Sequence, residues 1–190
     1  MDIMSQDKLN VSSAYMRPGF ANGGSCLPKD LRALVHFGRL ENIDLPLLCS
    51  LSQSNRIQIE LAACQVLATG RRRVGLLGLA FKTKRDDLRE SPAVELAKIL
   101  IGKSCNPRIL DTAVREAKLV GTNRESMQTK FPHLSSLLVA SAAEFVEHAD
   151  VVVITHAASH FHDVIALIDS HVPIVDLAGT PSLWALRQAA

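Results

Sequence analysis

The 190-residue sequence is short of aromatics, which make up 4% of it, with one tryptophan and one tyrosine. It has four cysteines, Cys26, Cys49, Cys64 and Cys105, none in a CxxC pair and none accompanied by histidines at zinc-finger spacing. That speaks against a structural metal centre or a disulfide framework, and a reducing compartment fits best. Charge of one sign is also missing, because 21 Lys and Arg against 19 Asp and Glu leave a net charge of +2. Such a balance gives neither the basic footprint of a nucleic-acid binder nor an acidic tail. No apolar run approaches the roughly 18 residues of a membrane span. Residues 1–8 show no basic stretch leading into an apolar one, so no signal peptide is expected. Repeats, low-complexity tracts and the GxGxxG fingerprint of a dinucleotide fold are absent as well. The expectation is a soluble cytoplasmic protein without a nucleic-acid or membrane partner.

The chain divides near Thr69-Gly70. Residues 1–70 read as helical and 71–190 as alternating strand and helix. Pro28 suits the first turn of a helix running to about Leu40, with Leu31, Leu34 and Val35 on its apolar side. Asp44 is placed to cap a second helix, with Pro46 in its first turn. Leu48, Leu51, Asn55, Ile59, Ala62 and Val66 recur at helical spacing and form a stripe that is apolar except at Asn55. Cys49 and Cys64 fall within this apolar pattern and are expected to be buried, inert thiols. Gly70 is a natural stop.

Beyond Gly70, solid apolar runs read as buried parallel strands at Val74–Leu79, Arg108–Asp111, Val151–Thr155 and Ile174–Leu177, with a shorter one at Leu137–Val139. Helices are expected from Ser91-Pro92 to Gly102, from Ala113 to Val120, from Ala142 to His148 and from His160 to Ser170. Ser91 reads as a side-chain cap. The fold class is α/β, a helical segment followed by a Rossmann-like doubly wound parallel sheet. Arg71-Arg72-Arg73 reads as a solvated cap between helix and strand, with a phosphate contact as the alternative.

The sequence Gly23-Gly-Ser-Cys-Leu-Pro-Lys-Asp30 puts Cys26 at the end of a glycine-rich loop and the mouth of a helix. A helix N-terminus and a nearby ammonium, here Lys29, both favour thiolate over thiol. Gly23 and Gly24 let backbone approach a substrate closely. A nucleophile is the favoured reading, ahead of a structural cysteine in a turn or a metal ligand. A thiolate adds to a carbonyl, and loss of hydride from the adduct gives a thioester. Asp30, one helical turn on, could position or deprotonate the water that hydrolyses it, or could be a plain surface carboxylate.

Gly75-x-x-Gly78-x-Ala80 has the wrong spacing for a dinucleotide fingerprint. Its glycines are expected to permit close strand–helix packing, with Asp111 as a ribose-binding acid only in the alternative. The segment from Phe81 to Pro92 carries Lys82, Lys84, Arg85 and Arg89 with Asp86, Asp87 and Glu90. It reads either as a solvated charged loop or as a phosphate-binding loop with cations held by carboxylates. His156, His160 and His162 cluster, but loop histidines explain them better than a metal site.

Two segments together carry a resemblance. Tyr15-Met-Arg-Pro-Gly-Phe20 with Gly23-Gly-Ser-Cys-Leu-Pro-Lys-Asp30 resembles the active-cysteine region of the UDP-glucose/GDP-mannose dehydrogenase family. Gly78-Leu-Ala-Phe-Lys82 with Asp86-Asp-Leu-Arg-Glu-Ser-Pro92 resembles that family's C-terminal nucleotide-sugar domain, and the wording is nearest the GDP-mannose, alginate-pathway branch. Ala14, Asn22 and Arg85 depart from the family's usual residues. The resemblance implies oxidation of a sugar C6 alcohol to a carboxylate in two NAD-dependent steps, with GDP-mannose as the substrate. It implies Cys26 as nucleophile and Asp30 as its hydrolytic assistant. It also implies Tyr15, Arg17, Phe20, Gly23 and Lys82 as nucleotide-sugar contacts, Lys29 and Arg89 as NAD contacts, and a homodimer through the helix at 44–69. The family's NAD-binding Rossmann domain has no counterpart in the 190 residues, so this chain alone is expected to bind NAD poorly and to turn over negligibly. A UDP-sugar relative, a non-catalytic nucleotide-sugar-binding or dimerisation module, and a thiol enzyme completed by a partner subunit remain alternatives.

Overall fold

The computed structural model describes residues 19–80, 88–112, 114, 134–158 and 161–179. Two helices come first, α1 (Leu27–Leu40) and α2 (Pro46–Ala68). Strand β1 (Arg73–Leu77), helix α3 (Pro92–Gly102) and strand β2 (Asn106–Leu110) follow. After them come the short helix α4 (Leu134–Leu137), helix α5 (Ala142–His148), strand β3 (Val151–Ile154), helix α6 (Phe161–Ala166) and strand β4 (Ile174–Asp176).

The strands form one parallel sheet in the order β2-β1-β3-β4. Parallel strands buried on both faces need apolar residues at every position, which explains the solid runs of β1 and β3, whereas β4, expected to be buried, is half-buried and β2 is buried only in part. Val74 and Leu76 of β1, Ile109 of β2 and Val151 and Val153 of β3 pack on one side with residues of α2 and α3. Leu77, Leu110, Val152 and Ile154 pack on the other with Phe145 and Ala149 at α5 and with Phe161, Val164 and Ile165 of α6. The sheet is therefore doubly wound, and the expected α/β class holds. Because β2 and β3 lie on opposite sides of β1, the chain reverses direction across the sheet there. The crevice at the carboxyl ends of β1 and β3 is the topological switch point, where open α/β sheets bind ligands.

Glycine shapes the sheet at two places. A Cβ on Gly75 would lie 2.6 Å from Phe145 Cζ and 2.8 Å from the Cβ of Ala149, so α5 packs against bare backbone. Gly78, at φ +88°, ends β1 in a conformation that side chains rarely adopt, beneath the His156 ring. The strand–helix packing reading therefore holds at Gly75, whereas Gly78 meets His156 and Thr155 of the loop after β3 and not a helix. Strand β2 begins at Asn106, two residues earlier than expected, so that Pro107 falls inside it. An edge strand tolerates a missing N–H, and β2 is an edge.

The arginine triplet closes the opposite end of the sheet. Arg72 donates to the Lys103 carbonyl at 2.8 Å, and Arg73 holds Asp150 through bonds of 2.9 and 3.1 Å. These bonds support the cap reading.

Several local expectations are corrected. Asp44 does not cap α2: the N-cap residue is Leu45, with no side-chain hydrogen bond. Ser91 stands at the N-cap of α3, but its hydroxyl donates to the Leu79 carbonyl at 2.6 Å and ties α3 to the end of β1 instead. Leu137–Val139 is not a strand. Helix α4 ends at Leu137, and Leu138 makes only an isolated bridge to Ile109. The helix expected at His160–Ser170 covers only Phe161–Ala166, and the one at Ala113–Val120 lies almost wholly outside the described residues. Cys49 and Cys64 are exposed, whereas Cys105 is buried. The reason is geometric. Only the second half of α2 meets the sheet domain, through Ile59, Ala62, Ala63 and Val66, and both cysteines point away from that face.

Candidate active site

Helix α1 begins where Pro28 sits in the first turn, at a place where a missing N–H costs nothing. Cys26 is its N-cap residue. The Cys26 carbonyl accepts the Asp30 N–H at 2.9 Å, so Asp30 lies one turn along the helix from the thiol. The thiol is exposed, and its sulfur stands 3.8 Å from the Ser25 hydroxyl. Lys29 and Asp30 form an exposed ion pair at 3.3 Å beside it. A thiol, an ammonium and a carboxylate are thus grouped on the first turn of one helix, open to a ligand.

Three contacts hold the loop that carries the thiol. Asn55 of α2 accepts the Asn22 N–H at 2.7 Å and returns its own amide N–H to the Asn22 carbonyl at 2.9 Å. Gly23 is buried with no room for a side chain, because a Cβ there would meet the Glu90 carbonyl and Pro92 Cδ. Arg32 of α1 grips both Glu90 carboxylate oxygens at 2.8 and 2.7 Å, and that hydrogen bonding raises the Arg32 pKa above its ordinary value. Glu90 itself sits at φ +53°, in the tight turn where the Ser91 N–H reaches the Leu88 carbonyl at 3.2 Å. The turn at 88–91 contains Arg89 and leads into α3. The two motif segments of the sequence therefore meet in space.

Of the residues singled out in the sequence, Cys26, Lys29 and Asp30 come together, and Gly23 packs on the turn that holds Arg89. Phe20 is half-buried against the core of the sheet domain. Tyr15, Arg17 and Lys82 lie outside the described residues. Neither Asn55 nor Arg32 is among the site residues expected from the sequence, although the break that Asn55 makes in an apolar stripe is a visible signal, and Glu90, expected as a carboxylate that holds cations of its own loop, holds Arg32 of α1. A cleft of about 480 Å³ opens between α1, α2 and α3, lined in part by Asn22, Arg32, Asn55 and Glu90.

The switch-point crevice is organised by Asp111. One of its carboxylate oxygens accepts the N–H groups of Leu79 and Ala80 at 2.8 and 3.1 Å, and the other accepts that of Val114 at 3.1 Å. A dinucleotide fold keeps such loop amides open for a pyrophosphate and such an acid open for a ribose. Here each is satisfied by the other, so the ribose-binding alternative for Asp111 does not hold. Thr155 closes the floor by donating to the Leu77 and Gly78 carbonyls at 3.0 Å each. His156 lies at 5.2 Å from Phe161, ring to ring. Among the described residues, no group of three His, Cys, Asp or Glu is placed to hold a metal ion, and no helix is long and apolar enough to cross a membrane.

Comparison with known proteins bears on this geometry. A family model described as the UDP-binding domain of the UDP-glucose/GDP-mannose dehydrogenase family matches residues 75–180, and the model of that family's central domain matches residues 1–57. GDP-mannose 6-dehydrogenase of Pseudomonas aeruginosa is 48% identical over 180 residues, which is 94% of this chain and 41% of the relative. UDP-glucose 6-dehydrogenase of Rickettsia typhi is 33% identical over 175 residues, 90% of this chain and 37% of the relative. A crystal structure of a ternary complex of GDP-mannose dehydrogenase from Pseudomonas aeruginosa superposes with a TM-score of 0.82 at 48% identity, covering 94% of this chain and 41% of that one. UDP-glucose dehydrogenase from Pyrobaculum islandicum shares the fold, with a TM-score of 0.72 at 24% identity, over 96% of this chain and 40% of that one. The chain spans about two fifths of the length of the curated relatives it matches.

Proposed function

The chain belongs to the UDP-glucose/GDP-mannose dehydrogenase family, and from that premise we propose that it is the cysteine-bearing, nucleotide-sugar-binding portion of a GDP-mannose 6-dehydrogenase. One observation carries the reading: the loop and helix that bear the exposed thiol are tied to the turn at 88–91, through Gly23 packed on Glu90 and Pro92 and through the Arg32–Glu90 pair. The GDP-mannose assignment is favoured over a UDP-sugar by the 48% against 33% identity of the respective relatives.

In this reading residues 1–70 supply the thiol loop and a dimer surface, and residues 71–190 bind the nucleotide. Tyr15, Arg17, Phe20, Gly23 and Lys82 are assigned as this chain's contacts to the nucleotide sugar. Cys26 attacks the sugar C6 at the aldehyde level and holds it as a thiohemiacetal, then as a thioester at the acid level. Asp30, one turn away, positions the water that frees the carboxylate, with the Lys29 ammonium 3.3 Å from it. NAD would accept the electrons. The sheet of this chain does not fit NAD, because the amides and the acid that would cradle a dinucleotide are already paired through Asp111. Lys29 and Arg89 are this chain's contacts to a cofactor bound elsewhere in the complete enzyme.

A second copy is proposed to cover the apolar side chains that α1 and α2 leave exposed, among them Leu34, Phe37, Leu40, Leu47 and Leu51. The protein is taken to act in the cytoplasm, where its thiols stay reduced.

A GDP-mannose analogue carrying an α-chloroketone in place of the C6 alcohol tests the thiol's role. It should alkylate Cys26 ahead of Cys49 and Cys64, which are also exposed. Labelling spread evenly over the three, read by peptide mass mapping, would refute the assignment.

A further inference from the structure

Asn55 is the one polar residue in the otherwise apolar stripe of α2, and helical propensity gives no reason for it there. The structure supplies one. Its carboxamide accepts the Asn22 N–H at 2.7 Å and donates to the Asn22 carbonyl at 2.9 Å, closing a two-point ring on the backbone of a single loop residue. Both groups belong to the segment between Phe20, which packs on the sheet-domain core, and Cys26, which starts α1. The next residue, Gly23, is pressed against Glu90 and Pro92. Four residues C-terminal to Asn55, Ile59 enters the core of the sheet domain, so α2 is anchored where the latch is made.

We propose that Asn55 is a positioning residue. It holds the thiol loop in register with the turn at 88–91, so that a nucleotide sugar seated in the sheet domain presents its sugar to Cys26. The inference rests on the reading of Cys26 as the substrate-facing thiol. It goes further by naming the side chain that joins the loop's position to the nucleotide domain. Only an amide can perform the role as built, because one oxygen must accept and one N–H must donate. A carboxylate keeps the first bond and sets a negative oxygen against the Asn22 carbonyl in place of the second. The Asn22 side chain has no part in the latch, so the loop position that departs from the family's usual residue is free to vary.

The test is ligand protection of Cys26, which a purely structural role would leave intact in any variant that still folds and binds. In a background carrying Cys49→Ser and Cys64→Ser, the rate of Cys26 alkylation by iodoacetamide is measured by intact mass. It is read with and without GDP-mannose, at concentrations set by calorimetry to give equal occupancy. The parent should be protected by about tenfold, as expected where small misplacements of a reacting group carry large rate effects. Asn55→Ala should bind GDP-mannose and lose most of that protection. Asn55→Asp should be intermediate, and it carries the test if the alanine variant loses its cooperative melt. Asn22→Ala should be protected like the parent. Parent-like protection in Asn55→Ala, or lost protection in Asn22→Ala, would overturn the proposal alone. Absence of protection in the parent would overturn the substrate reading and this proposal together.

Discussion

Gly75 lies against the ring of Phe145, and a Cβ placed on it would come 2.6 Å from Phe145 Cζ. The neighbouring obstacle is the Cβ of Ala149 at 2.8 Å, which is fixed to backbone and cannot swing aside. Gly75→Ala should therefore push α5 off the sheet and destabilise the fold by about 1–3 kcal/mol, the usual range for overpacking a core. Thermal or urea unfolding measures it. A variant as stable as the parent would show that α5 packs more loosely than this structure has it.

Asp111 is buried and accepts N–H bonds from Leu79, Ala80 and Val114. Asp111→Asn keeps the size and leaves one oxygen, while its amide group faces an N–H it cannot accept. A loss of about 1–3 kcal/mol follows from an unsatisfied buried donor. NAD should give no heat of binding before or after the change, because this acid serves the backbone. NAD binding by the parent that is lost in Asp111→Asn would restore the ribose-binding role.

Asp150 is held below its ordinary carboxyl pKa of 3.8, first by its hydrogen bonds to Arg73 and then by the charges of Arg73, Arg71 and His148. A carboxyl whose folded value is depressed contributes stability that is fully present above its unfolded value and is lost as pH falls through the folded one. The melting-temperature gap between parent and Asp150→Asn should be constant from neutral pH down to about pH 5 and close progressively below about pH 4. The effect should be small and should shrink with added salt, because the pair is exposed. A gap that widens with acid would mean that the pair does not form.

The apolar side chains exposed on α1 and α2 include Phe37 at 63% and Leu47 at 73%. Sedimentation of the chain should show a dimer, and Phe37→Glu with Leu47→Glu should shift it to monomer with the sheet domain still folded. A monomeric parent at micromolar concentration would remove the proposed interface.

Much of the scaffold was legible because its signals are local. Pro28 and Gly70 mark helix ends, and solid apolar runs mark the buried strands β1 and β3. The site was half legible. The grouping of Cys26, Lys29 and Asp30 follows from helical spacing. The bond from Arg32 to Glu90 does not, since it joins residues 58 apart through a turn whose key residue adopts a positive φ. Periodicity shows which residues share a face of α2, but not which face is covered. That is why Cys49 and Cys64 read as buried and are exposed. Asn55 shows the same limit. Its break in the stripe is visible in the sequence, but the loop backbone it grips appears only in the fold.

Calorimetric titration of the purified chain with GDP-mannose, UDP-glucose and NAD in parallel tests the central claim most directly. The account predicts that GDP-mannose binds more tightly than UDP-glucose by at least about tenfold, a difference of about 1.4 kcal/mol, and that NAD gives no heat of binding. Tighter binding of UDP-glucose, or saturable binding of NAD, would contradict it.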